Sequence, residues 1–228
     1  MSKKIAVLLS GSGVYDGTEI QEGVFALLAI AQHGGEVKCF APDVDQHHVI
    51  NHLSGEEMNE SRNVLIESAR IARGQVEAVT EAEVNELDAL VIPGGFGTAK
   101  NHTKWAFSGP EGKINSDVKD LIAAFYRNGK PIVGLCMGPT TIAKALEDVG
   151  ENLKLTVGTT EEESPYDIGG ISQGVEVLGA TAVMKTIREI ELDEANKIIT
   201  APCYMMEASI VEVQSNIEEA INSLFELL

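Results

Sequence analysis

Three short runs of the chain, residues 5–9, 87–93 and 131–135, are almost wholly apolar, and each ends on a turn of Gly or Ser or directly on a cysteine. An apolar run without alternation is a strand buried on both faces, which is the state of strands in a parallel sheet covered by helices. Between these runs the apolar residues change to helical spacing. Ile20, Val24, Leu27, Leu28 and Ala31 form one set, Val64, Leu65, Ala69 and Ile71 a second, and Val118, Leu121, Ile122 and Phe125 a third. Buried strands alternating with amphipathic helices define an α/β fold with a mainly parallel sheet.

The remaining segments fit that frame. Residues 37–41 read as a second strand after a helix stopped by Gly34 and Gly35, and this makes a βαβ unit. A polar loop over 43–61 leads to a helix over 63–73, and a long irregular excursion over 100–110 carries the single tryptophan. Helices are expected over 116–128, with Ser116 as N-cap, over 139–146 and over 209–228. Short strands are expected at 154–157, 187–190 and 197–202, with an exposed acidic loop over 161–174. No internal repeat or linker-like composition divides the chain, so one domain spanning 1–228 is expected.

Seventeen Lys and Arg against 35 Asp and Glu leave a net charge of −18. Binding to a phosphate backbone or an anionic bilayer needs the opposite sign, so neither nucleic acid nor membrane is an expected partner. The apolar run at 5–9 is too short for a signal segment, and no stretch approaches the length of a membrane span, which predicts a soluble chain. Cys39, Cys136 and Cys203 are odd in number and fit no zinc spacing. A reduced, cytoplasmic setting is expected, with no metal and no cofactor.

In a parallel sheet, ligands gather beyond the carboxyl ends of the strands. That rule brings together the loop 10–18, with Gly11 and Gly13, the Gly94 to Gly97 turn, and Cys136. Cys136 follows a buried strand and precedes a helix in the pattern Gly-x-Cys-x-Gly, so a sharp elbow should present its sulfur, and the helix N-terminus should lower its pKa. Free cysteines are usually small buried hydrophobes, which suits Cys39; the elbow favours a reactive thiol at Cys136, and Cys203 is open to either reading. Backbone N–H groups of the Gly94-Gly95 turn on one side of the sulfur and of Met137 on the other would make an oxyanion hole, although a Gly-Gly pair taken alone is plain turn geometry. Glu19 and Glu22 stand in the first helical turns beyond the strand end, within reach of the sulfur. Glu19, nearer the helix start, suits capping, and Glu22, nearer the apolar face, suits proton transfer.

His102 enters from the loop after the Gly-Gly turn and is a further candidate for the pocket. His47, His48 and His52 cluster, but no carboxylate or cysteine completes a ligand set, and a solvated or interface loop is favoured. The segment Ser10 to Gly13 lacks the lysine of a phosphate-binding loop.

Val-Ile-Pro-Gly-Gly-Phe-Gly at 91–97, the Cys136 elbow and the early-helix glutamate resemble the ThiJ/PfpI superfamily of class I glutamine amidotransferase-like domains. Longer runs are similar to its ElbB-like branch, named for isoprenoid biosynthesis: Leu-Ser-Gly-Ser-Gly-Val-Tyr-Asp-Gly-Thr-Glu-Ile at 9–20, Phe-Ala-Pro-Asp at 40–43, Val-Ile-Asn-His-Leu at 49–53, the stretch 60–74, and Lys-Ile-Ile-Thr-Ala-Pro-Cys-Tyr at 197–204. The resemblance implies a flavodoxin-like three-layer α/β sandwich, a homodimer, Cys136 as nucleophile with Glu22 as partner, and Gly95 and Met137 as oxyanion donors. It also implies a glyoxalase that converts glyoxal or methylglyoxal, small reactive aldehydes, to the 2-hydroxy acid without glutathione. Many superfamily members carry a histidine some twenty residues after the nucleophile. The corresponding region here, around Thr156, has none. That gap argues against amidotransfer and peptidase chemistry, and leaves as the alternative a non-catalytic regulator or cysteine redox sensor.

Overall fold

The apolar runs pair side by side, because strands buried on both faces leave their backbone groups no partner except one another. The computed structural model describes residues 2–228. In chain order the elements are β1 (Lys4–Leu8), α1 (Ile20–Gln32), β2 (Glu36–Ala41), α2 (Val64–Ile71), β3 (Val76–Ala78), β4 (Ala89–Ile92), α3 (Trp105–Ser108), α4 (Ser116–Arg127), β5 (Ile132–Leu135), α5 (Gly138–Leu146), β6 (Lys154–Leu155), α6 (Ile168–Val177), β7 (Thr181–Ala182), β8 (Glu191–Asp193), β9 (Ile198–Ala201) and α7 (Ile210–Glu226).

Seven strands make one sheet in the order β3-β2-β1-β4-β5-β9-β8, parallel except for the edge strand β8, which runs antiparallel to β9. β4, β5 and β9 are buried throughout, and β1 is buried beyond Lys4. The crossover β1-α1-β2 moves one way across the sheet and β4-α4-β5 the other, so right-handed connections put α1 and α4 on opposite faces. α7 packs on α1, and α5 on α4. The result is a three-layer, flavodoxin-like α/β sandwich.

Local chemistry sets the helix ends. Asn63 and Asn115 accept from backbone N–H groups at the starts of α2 and α4, so the N-cap of α4 is Asn115 and not the expected Ser116, which is the first helical residue; Ser209 with Glu212 forms a reciprocal capping box for α7. Among the described residues no helix is long and apolar enough to cross a membrane.

The face of α1 that the sequence marks as apolar is turned outward: Ile20, Val24 and Leu28 are exposed, and the small residues Gly23, Ala26 and Ala29 face inward with Glu22 and Ile30. Three further expectations are corrected. The strand expected at 187–190 lies one step later, at Glu191–Asp193, because Thr186 to Glu189 close a turn, with Glu189 N–H on Thr186 O at 3.1 Å and the Glu189 carboxylate on Thr186 N–H at 3.0 Å. The loop expected over 161–174 ends at Asp167, whose Oδ1 accepts from Gly170 N–H and starts α6. Gly174, a turn former in sequence, is instead a contact residue: a Cβ there would sit 2.8 Å from Trp105 Cζ2. The excursion 100–110 is largely ordered into a wide helical turn at Thr98–His102 followed by α3.

The pairings Leu8↔Phe40, Val7↔Val91, Ile92↔Gly134 and Leu135↔Ala201 align the carboxyl ends of the central strands along one edge. The loops that leave that edge build the site.

Candidate active site

Cys136 leaves β5 with φ 56, a left-handed conformation that a residue with a Cβ adopts at a cost of about 1–2 kcal/mol. Its neighbours make the elbow fit. A Cβ on Gly134 would lie 2.7 Å from Ile142 Cδ1, and one on Gly138 would lie 2.5 Å from Ile92 O, so both positions must lack one. Gly95, also left-handed with φ 93, turns its N–H onto the Cys136 sulfur.

Glu22 meets the same sulfur from α1. It is fully buried, with its carboxyl close to the sulfur, and Oε2 accepts from Gly94 N–H at 3.0 Å and Oε1 from Tyr204 N–H at 3.3 Å. Burial, and after it the charge of Glu19, raises the Glu22 pKa to about 8, well above an ordinary carboxyl. Burial likewise pushes the Cys136 thiol well above its usual value, with Glu22 and Cys203 adding to the effect. The expected depression by the helix N-terminus is therefore outweighed: with 5% of the residue exposed, desolvation of the thiolate dominates. At neutral pH the pair holds its protons, and it is the pair that gives up the first of them.

Glu19 takes the capping role. Its Oε2 accepts from Glu22 N–H at 2.7 Å, and burial raises its own pKa. The two glutamates thus divide between the helix end and the sulfur.

Cys136 and Met137 line a cavity of about 230 Å³, walled by Phe96, Trp105, Tyr166, Ile171 and Tyr204, with Glu19 and Gly95 on its border. Phe96 and Tyr166 meet edge to face at 5.9 Å. Tyr166 lies close enough for the charges of Cys136 and Glu22 to add to burial, which pushes its phenol up to about 12 and keeps it neutral. Tyr204 closes the run 197–204 that carries part of the resemblance, whereas Tyr166 belongs to no motif. Tyr166 sits in the acidic segment before α6, and only the aromatic ring among polar neighbours marks it in sequence.

The other candidates lie outside the cavity. Gly11 and Gly13, with φ 113 and 139, shape the first loop: Gly11 N–H donates to Ser68 Oγ and Gly13 N–H to Thr18 O. His102 is buried behind them, its Nε2–H on Leu9 O at 3.0 Å and its Nδ1 unpartnered, and burial lowers its pKa to about 4. Thr156 is buried, with its N–H on Thr200 Oγ1. Cys203 follows β9 in a left-handed turn, fully buried beside the pair, and Cys39 is a buried strand residue whose thiol is pushed up to about 11. His47 and His48 pack on Phe107. Among the described residues no group of three or more His, Cys, Asp and Glu is placed to hold a metal ion.

No protein-family model matches the chain. It is 40% identical over 228 residues to the human glutamine amidotransferase-like class 1 domain-containing protein 3, covering 98% of this chain and 83% of that one. It is 32% identical over 212 residues to the zebrafish ES1 protein, covering 89% and 77%. Both relatives are named as mitochondrial, and this overturns the expectation of a cytoplasmic setting, which rested on cysteine number and the short apolar run alone. A solved structure from Ehrlichia chaffeensis, described as an isoprenoid biosynthesis protein with amidotransferase-like domain, superposes with a TM-score of 0.89 at 33% identity, covering 99% of both chains. Drosophila melanogaster DJ-1beta shares the fold, with a TM-score of 0.55 at 18% identity.

Proposed function

Because the chain belongs to the class I glutamine amidotransferase-like family of the DJ-1/ThiJ/PfpI fold, we propose that it is a glutathione-independent glyoxalase, converting a 2-oxoaldehyde to the 2-hydroxy acid on Cys136. One observation carries this reading. A buried carboxyl, Glu22, lies beside the sulfur that lines the cavity, both of them against Gly94, and is poised to exchange a proton near neutral pH.

The pair that has lost one proton is the reactive state. Its sulfur adds to the aldehyde carbon, and the alkoxide that forms takes hydrogen bonds from the Gly95 and Met137 N–H groups and a proton from Glu22. The Glu22 carboxylate then removes the hydrogen on that carbon, giving an enediol, and returns a proton to the neighbouring carbon. This oxidises the first carbon and reduces the second within one molecule, so no external electron acceptor is consumed. Water cleaves the resulting thioester, and the 2-hydroxy acid leaves with Cys136 restored. Tyr166 supplies a neutral O–H donor beside the same space.

The absence of a histidine among the described residues lining the cavity supports this chemistry over amidotransfer, in which a base must return a proton to a leaving amine. With only 5% of Cys136 exposed, the site favours a small substrate that fits the cavity over a redox sensor, whose oxidation follows exposure. Methylglyoxal with the purified protein, free of glutathione and metal, should yield lactate by NMR. Methylglyoxal and the bulkier phenylglyoxal both staying unchanged over the blank refutes the reading.

A further inference from the structure

The cavity over Cys136 is built almost entirely from apolar surface, with Phe96, Trp105, Ile171 and Met205 among its walls. Among the described residues that line it, none is Lys, Arg or His, and the one acid, Glu19, already spends Oε2 on the Glu22 N–H. Tyr204 binds the Gln21 side chain through its hydroxyl, so that group is spent as well. A substrate carboxylate, phosphate or ammonium entering here would lose its water and gain no counter-charge, and an unpaired charge in such a place is strongly disfavoured. Free glutamine, which carries both an ammonium and a carboxylate beside its reacting amide, is excluded on the same ground.

Size points the same way. A dry apolar cavity of ~150 Å³ is enough to hold benzene. The cavity here, at about 230 Å³, has space for such a ring with a two-carbon dicarbonyl arm reaching Cys136. Methylglyoxal would leave most of the apolar wall without contact, and unfilled apolar surface contributes nothing to binding the transition state.

Resting on the glyoxalase reading above, we infer that the substrate class is an uncharged 2-oxoaldehyde bearing an aromatic or branched apolar substituent, with the substituent against Trp105, Phe96 and Ile171 and the aldehyde carbon at Cys136. The reaction is the same internal transfer of hydrogen, with water the only co-reactant.

Two measurements on the intact protein test this. In the first, kcat/KM for phenylglyoxal is compared with that for methylglyoxal, and a preference of about tenfold or more for phenylglyoxal is expected, the scale at which apolar pockets discriminate by size. Ala106→Phe, at the border of the cavity, should lower that ratio. Equal or better turnover of methylglyoxal overturns the inference and leaves the glyoxalase reading standing. In the second, emission of Trp105, the single tryptophan, is followed during titration with benzyl alcohol and with L-glutamine. A saturable response to benzyl alcohol and none to glutamine is expected. If neither aldehyde is turned over, the glyoxalase reading falls, and this titration decides the ligand class alone: no response to benzyl alcohol, or saturation by glutamine, overturns it.

Discussion

Gly94 sits where the reactive pair is tightest, and replacing it by alanine should disable the site while leaving the fold in place. A Cβ at that position would lie 2.5 Å from Cys136 Cβ, 2.7 Å from Glu22 Oε2 and 2.8 Å from Cys136 Sγ. Carbon contacts settle at about 3.5–4.0 Å, so the neighbours would have to retreat by about 1 Å. Neither is free to do so. Cys136 is fixed by its left-handed elbow, and the Glu22 carboxyl is held by the N–H groups of Gly94 and Tyr204. Overpacking of this kind costs about 1–3 kcal/mol of stability, and a displacement of ~1 Å at the reacting atoms costs about 100-fold in rate. Gly34→Ala is the control: Gly34 has φ 75 but nothing within 4 Å of a Cβ, so it should lose about 1–2 kcal/mol and keep wild-type kcat/KM. Urea unfolding together with hydroxy-acid formation separates the two effects. A Gly94→Ala protein that is folded and as active as wild type would refute the packing of the Cys136–Glu22 pair described above.

Three further outcomes follow from the same geometry. Glu22 is held protonated to about 8 against its ordinary 4.5, so it contributes stability in full below pH 4.5 and loses it as pH rises toward 8, at up to ~1.4 kcal/mol per pH unit; the advantage of wild type over Glu22→Gln in unfolding free energy should shrink across that window, and a constant difference contradicts a buried acid. His102 has the opposite sign of slope: held neutral down to about 4 against its ordinary 6.5, it costs stability as pH falls from 6.5 toward 4, and His102→Gln should flatten that part of the wild-type stability curve. Gly174→Ala would place a Cβ 2.8 Å from Trp105 Cζ2 and 3.0 Å from Cη2, so it should shift the emission of the lone tryptophan; an unchanged spectrum would mean that α6 does not pack on the indole.

Much of the site was legible because it depends on chain topology. Buried strands followed by Ser10, Gly94 and Cys136 place all three at one sheet edge whatever the details of packing. The choice of Glu22 over Glu19 was not legible in the same way: Ile20, Val24 and Leu28, which mark the apolar face in sequence, are exposed, and Glu22 lies on the buried face with Gly23, Ala26, Ala29 and Ile30. What escaped the sequence depends on contacts between distant segments. Tyr166 and Ile171 reach the cavity from a stretch whose Gly169, Gly170 and Gly174 read as loop, although Gly174 is there to admit Trp105. The protonation of Cys136 escaped for a related reason: spacing shows the helix N-terminus, whose field favours the thiolate, but not the burial and the neighbouring acid that oppose it more strongly. His102, placed by order of chain near the site, turns inward to the Leu9 carbonyl because the helical turn at Thr98–His102 carries it behind β1.

The central claim is that Cys136 and Glu22 act as one proton-sharing unit on a 2-oxoaldehyde. The most direct measurement is kcat/KM for 2-hydroxy-acid formation by wild type, Cys136→Ser and Glu22→Gln, each confirmed folded by circular dichroism. The account predicts measurable turnover by wild type and a loss of at least ~100-fold in both variants, in line with removal of a nucleophile or of its proton partner. Turnover by Glu22→Gln at the wild-type rate would contradict it, as would a wild-type protein with no activity on either methylglyoxal or phenylglyoxal.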